Sequence, residues 1–174
     1  MIAVDRVIFL DIDGVFNCVG SMMAFGTPMM FDEVALCLFA RLCEQTDAKI
    51  VVSSAWRIGR GLHGLREIFH VRGAVAVSER IIDKTPSLQG VRGEEIACWS
   101  ASNKHGDYII IDDDADMLPE QLPRFVQTST LTGFRAPEYA AALHLFEPEH
   151  IDLKSLRGYN PLRHLKWDEV KEQV

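Results

Sequence analysis

The stretch that most constrains this chain is Val7-Ile8-Phe9-Leu10-Asp11-Ile12-Asp13-Gly14-Val15. Four apolar residues run straight into a carboxylate, and a second carboxylate and a glycine follow. A short unbroken apolar run reads as a strand buried on both faces, as in the middle of a parallel sheet. Aspartates at its C-terminal end stand where open α/β sheets place their ligands. Side chains alternate along a strand, so Asp11 and Asp13 point the same way if the extended geometry persists. Gly14 permits a turn that other residues resist. The alternative is an ordinary polar turn.

The pattern recurs. Tyr108-Ile109-Ile110-Ile111 runs into Asp112, Asp113, Asp114 and Asp116. The spacing lacks the glycine and distal glutamate of an EF-hand loop, so a calcium loop is rejected. Lys49-Ile50-Val51-Val52 runs into Ser53-Ser54-Ala55-Trp56-Arg57. The Arg57 guanidinium has the shape to fork onto a phosphate, and Trp56 is read as core. Further strands are expected over Ala74–Val77 and Phe125–Gln127, with 79–90 a loop. Helices are expected over Val34–Cys43 with Asp32 as N-cap, around Leu65–Phe69, from about Val91 to Ser100, and over Ala136–Phe146. Strands alternating with helices give an α/β fold, a doubly wound parallel five-stranded sheet with helices on both faces.

Asp11-Ile12-Asp13-Gly14-Val15 resembles the first motif of the haloacid dehalogenase (HAD) superfamily, DxDGT or DxDGV. The resemblance implies that Asp11 is a nucleophile forming an aspartyl phosphate. It implies that Asp13 is the general acid and base, its backbone carbonyl helping to hold Mg2+. The chemistry agrees, since a carboxylate attacks phosphorus and a second carboxyl serves the leaving oxygen and water. A phosphate approaches two carboxylates only if a cation offsets the repulsion. Ser53 falls at the phosphoryl-binding position of the second motif, with Ser54 the immediate alternative. The Ser-x-Trp-Arg arrangement resembles capless members, including nucleic-acid end-healing phosphatases. For the third motif's basic residue Arg92 is favoured and Lys84 is the alternative, because a base beside a fixed element is better pre-organised. The fourth motif makes Asp112 a Mg2+ ligand, with Asp113 and Asp116 competing for the second role. The implied strand order is 5-4-1-2-3. Neither usual insertion point has room for a separate cap domain, which implies an open site.

The chain of 174 residues is expected to form one domain, with residues 16–31 a flap over the site and 149–174 a C-terminal helical extension. The flap is too irregular for a confident helix. Its Met22, Met23, Phe25, Met29 and Met30 are expected to pack it onto the body, with an apolar lip at the site as the alternative. The extension carries Lys154, Arg157, Arg163, His164 and Lys166, read as a solvated face. A net charge of −7 argues against a protein that coats nucleic acid electrostatically. Four cysteines without CxxC spacing, Cys37 and Cys43 read as buried, fit a reducing cytosol. No apolar run reaches membrane-spanning length. The expected activity is a Mg2+-dependent phosphomonoesterase, on a small molecule or a nucleotide or nucleic-acid terminal phosphate. A catalytically silent phospholigand-binding or scaffold domain is the alternative. The residues do not specify an oligomeric state.

Overall fold

The computed structural model describes residues 4–27 and 29–147. Its parallel strands are β1 (Val4–Leu10), β2 (Lys49–Val52), β3 (Ile81–Lys84), β4 (His105–Asp112) and β5 (Phe125–Gln127). They lie in the order β3-β2-β1-β4-β5, the order the resemblance implied. The helices are α1 (Val19–Phe25), α2 (Glu33–Thr46), α3 (Leu62–His70), α4 (Val75–Arg80), α5 (Arg92–Ser102) and α6 (Ala136–Phe146). Only helices and short turns link β1 to β2 and β2 to β3, so no separate cap covers the sheet edge.

Strand alternation sorts the core into two layers. Ile8, Leu10, Ile50, Val52, Ile109 and Ile111 face one side, with Leu38, Phe39 and Leu42 of α2, Leu65 and Phe69 of α3, and Tyr139 and Ala142 of α6. Val7, Phe9, Val51 and Ile110 face the other, against Ile96 and Trp99 of α5. The β1 run is fully buried because both faces are covered, which is why it reads as unbroken hydrophobics. Asp32 caps α2 as expected, its carboxylate accepting from the Ala35 amide at 3.0 Å.

Several expectations are corrected. Ala74–Val77 is not the third strand: Val75–Arg80 is helical, and Ile81–Lys84 pairs with β2 inside the expected loop. The alternating valines look strand-like locally, but pairing with β2 decides the strand and overrides propensity. The flap contains a real helix, α1, ended by Gly26 at φ 69°. Met22, Met23, Phe25, Met29 and Met30 are exposed rather than packed onto the body. Cys43 is buried, whereas Cys37 is exposed. The expected extension over 149–174 lies outside the described residues.

Candidate active site

Register and alternation bring the carboxylates together. Leu10 lies beside Val52 and Ile111, so Asp11, Ser53 and Asp112 follow side by side at the C-terminal edge. The Asp11 amide donates to the Ile111 carbonyl at 3.0 Å, carrying the pairing one residue past β1. Asp11 and Asp112 take the parity of Phe9 and Ile110, which is the α5 face. The chain then turns. The amides of Val15 and Phe16 both donate to the Ile12 carbonyl, and Gly14 has φ +66°. A Cβ on Gly14 would lie 2.1 Å from Cγ of Asp113, so the glycine supplies both the left-handed turn and the space for that carboxylate. Because of this turn Asp11 is buried and Asp13 is exposed, and the Asp13 charge still acts on the Asp11 carboxyl.

Carboxylate oxygens of Asp11, Asp112 and Asp113 lie within 4.8 Å of one another. The Thr130 hydroxyl donates to Asp113 at 3.0 Å, and Gln127 holds the Asp113 carbonyl at 2.9 Å. Burial pushes the Asp11 carboxyl up to about 6, against the opposing pull of Arg92 and a hydrogen bond from Ser54. Burial, then the charge of Asp11, push Asp112 up to about 8, with Arg92 again opposing. Arg92 Nε stands 3.3 Å from Asp112 and its Nη2 stands 3.6 Å from Asp11. Asp112 Oδ2 is nevertheless buried without a hydrogen-bond partner, so the Arg92 contact is electrostatic attraction out of line for a hydrogen bond. One guanidinium against two carboxylates, with Asp113 as a third beside them, leaves a deficit of positive charge. An all-oxygen donor set with an orphaned buried oxygen fits a hard divalent cation such as Mg2+.

Arg92 is the first residue of α5, as the sequence reading preferred, and Asp116 fixes it there. The Asp116 carboxylate accepts from the Arg92 amide at 2.9 Å, and its carbonyl accepts from Gly93 at 3.2 Å. Asp116 is therefore a helix cap, and it is not in the carboxylate cluster found among the described residues. Gly93 lets the first turn of α5 close on the fourth-motif loop, since a Cβ there would meet the Leu118 amide at 2.5 Å.

The hydroxyl pair divides its work. The Ser54 hydroxyl favours the ionised Asp11 carboxyl and accepts from the Trp56 amide at 3.3 Å. Ser53 is fully buried, and its Oγ has no hydrogen-bond partner. Thr85, one residue past the Val52–Lys84 pair, has an equally orphaned hydroxyl.

Arg57 corrects the phosphate-fork expectation. Its Nε donates to Thr85 O, Nη1 to Ser53 O and Ser54 O, and Nη2 to Pro86 O and Glu95. Every guanidinium donor is spent and the residue is 4% exposed, so Arg57 clamps the backbone under the site. Lys84 likewise donates to the carbonyls of Arg57 and Arg60, at 3.2 and 2.5 Å, rather than to a carboxylate of the cluster.

Trp56 is half-buried, and its indole N–H bonds both Asp13 oxygens at 3.0 and 2.9 Å. Asn17 donates to Asp13 Oδ1 at 2.6 Å. The sequence offered no signal for the partnership of Trp56 with Asp13 or of Glu95 with Arg57, because both span loops that no periodicity relates. Asn17 lies four residues after Asp13 and was visible only as a polar residue in the flap.

A model of the family described as "HAD domain in Swiss Army Knife RNA repair proteins" matches residues 7–139. No curated protein and no solved structure gives a significant match. No helix among the described residues is long and apolar enough to cross a membrane.

Proposed function

Since the chain belongs to the family of HAD domains found in Swiss Army Knife RNA repair proteins, we propose that it is a Mg2+-dependent phosphomonoesterase working through an aspartyl phosphate on Asp11. The observation that carries this reading is the buried Asp11–Asp112 pair at adjacent strand ends, with Arg92 against both and Asp113 beside them. Asp11, Asp112 and Asp113, with the Asp13 carbonyl, are the residues that would hold Mg2+. Bound there, Mg2+ supplies the positive charge that lets a phosphate dianion approach the carboxylates.

The protein's own groups divide the remaining work. Asp11 is buried at the end of β1, and Ser54 favours its ionised, nucleophilic form. As its bond to phosphorus forms, the ester P–O bond breaks and Asp13 gives its proton to the departing oxygen. Asp13 then takes a proton from water as the water oxygen attacks phosphorus, and the Asp11–phosphorus bond breaks to release phosphate. Arg92 neutralises charge on the reacting group and on its carboxylate neighbours. The phosphoryl oxygens are assigned to Ser53 and the backbone at Ser54, a reading supported by the buried Ser53 hydroxyl without a hydrogen-bond partner.

The proposed substrate is a terminal phosphate of a nucleotide or nucleic acid. The family's description and the uncapped sheet edge support it. Arg57 no longer does, since its donors are spent. The test is hydrolysis of 4-nitrophenyl phosphate and of 3′- and 5′-phosphorylated oligonucleotides, with Mg2+ and with EDTA. Intact-mass spectrometry after acid quench should show one added phosphoryl group, absent from Asp11→Asn. Turnover insensitive to EDTA, or phosphorylation of Asp11→Asn, rejects the mechanism.

A further inference from the structure

The general acid in this reading is exposed, yet its carboxylate is held by donors that come from two separate segments. Among the described residues, Asp13 Oδ1 accepts from Asn17 at 2.6 Å and from Trp56 at 3.0 Å, and Oδ2 accepts from Trp56 at 2.9 Å. An exposed carboxylate ordinarily samples several rotamers, and fixing it has an entropic cost that a catalytic acid must meet before reaction. Here the larger holding group is an indole whose own position is over-determined. Trp56 lies in a single 3-10 turn, Ala55–Arg57, opened by Ser54, whose hydroxyl accepts the Trp56 amide. The next residue, Arg57, bonds the Ser53 and Ser54 carbonyls and so locks the same turn from below. The indole packs on Phe31, with ring centroids 5.7 Å apart, and the Arg60 guanidinium lies 5.7 Å from its centroid.

Resting on the phosphatase reading above, we propose that Trp56 is the positioning residue for the general acid and base Asp13. It holds that carboxylate so that Oδ2 faces the leaving oxygen. Oδ1 accepts two N–H bonds and is the poorer site for a proton; Oδ2, with one shared N–H, keeps a lone pair free for it. In the first step the Oδ2 proton passes to the leaving oxygen while the ester P–O bond breaks and the Asp11–phosphorus bond forms. In the second, Oδ2 takes a proton from the attacking water. The Ser54 hydroxyl accepts the Trp56 amide and favours the ionised Asp11 carboxyl, so one short turn bears on both carboxyl groups. The signature of such a role is leaving-group dependence. An alkoxide needs the proton, whereas a nitrophenolate departs without it.

The experiment uses Trp56→Phe, which keeps an aromatic ring on Phe31 and deletes the N–H. The kcat/KM values are measured with Mg2+ for glycerol 2-phosphate and for 4-nitrophenyl phosphate, since kcat/KM reports steps up to the first irreversible one. The variant should lose at least ten times more kcat/KM on the alkyl ester than on the aryl ester. Equal losses, or no loss on either, overturn the proposal. A second measurement does not depend on turnover. The chain has three tryptophans, and absence of one indole N–H resonance in Trp56→Phe assigns the Trp56 signal. Asp13→Ala should move that signal and speed its exchange with solvent; an unchanged signal overturns the contact and the proposal with it. If the indole responds as expected but the wild-type protein hydrolyses neither ester and neither a 3′- nor a 5′-phosphorylated oligonucleotide, the phosphatase reading itself has failed, and the catalytic role of Trp56 falls with it. If it hydrolyses only an oligonucleotide, that oligonucleotide replaces glycerol 2-phosphate, and a Trp56→Phe loss of less than tenfold on it overturns the proposal.

Discussion

Arg57 shows how far a residue's meaning depends on what surrounds it. In the sequence it is a cation just past a hydroxyl pair; in the fold it is a buried staple whose partner is Glu95. The pair is 4% and 8% exposed at its side chains, so truncating one member leaves an uncompensated buried charge. Arg57→Leu should lower unfolding stability by about 3–5 kcal/mol, the range for breaking buried pairs. The doubly apolar Arg57→Leu, Glu95→Leu should recover part of that loss, because no unpaired charge remains. Urea denaturation of the three proteins checks both statements. The same residue-scale lesson applies to Trp56, which packs against the core as expected and also reaches Asp13 through its one polar atom. Trp is amphipathic, so packing on Phe31 and bonding a carboxylate are compatible.

At the scale of elements, α5 is the part on which the site's positive charge depends. Its start is held by the Asp116 carboxylate on the Arg92 amide and by Gly93 against the 116–121 segment. Asp116→Ala should cost about 1 kcal/mol through the lost cap. It should also reduce kcat without abolishing Mg2+ dependence, since the carboxylate cluster is left whole. An equal stability loss with unchanged kcat would show that Arg92 does not need its cap to be in place. In the sequence Asp112 stands out as a ligand, and Asp113 and Asp116 compete for the second role. Turn geometry separates them: Asp112 is buried at a strand end, Asp113 lies on Gly14, and Asp116 faces a helix terminus.

At the scale of the whole molecule, the sheet forces Asp11 and Asp112 to be buried together, and this couples stability to pH. Both carboxyls are raised above the ordinary value of 3.8, to about 6 and about 8. The folded state then holds protons that the unfolded chain has released. Stability is full below the unfolded value and is lost as pH rises through about 6 and then about 8. In EDTA the melting temperature should fall between pH 5 and pH 9, and Asp112→Asn should flatten that fall. Mg2+ binds the ionised forms, so it should raise the melting temperature more at pH 8 than at pH 5.5. A Mg2+ shift that is the same at both values would mean the cation binds elsewhere.

The sequence by itself determined the hydrophobic strand runs, the carboxylates and hydroxyls that end them, and the sheet they build. A strand buried on both faces must be continuously apolar, and its last polar residues must surface at the sheet edge. That local necessity made β1, β2, β4 and the positions of Asp11, Ser53 and Asp112 legible, and the resemblance to a known family supplied the strand order. Tertiary structure decided the rest. It selected Ile81–Lys84 over Ala74–Val77, because strand identity belongs to the pairing with β2. It left Asp13 exposed beside the buried Asp11, removed Arg57 and Lys84 from the cluster, and made Asp116 a cap. The bonds of Asp13 to Trp56, Arg57 to Glu95, Lys84 to Arg60 and Asp116 to Arg92 join residues 24 to 43 positions apart in the chain. Hydrogen-bond valence is satisfied in space, and sequence periodicity reports only which face a residue occupies.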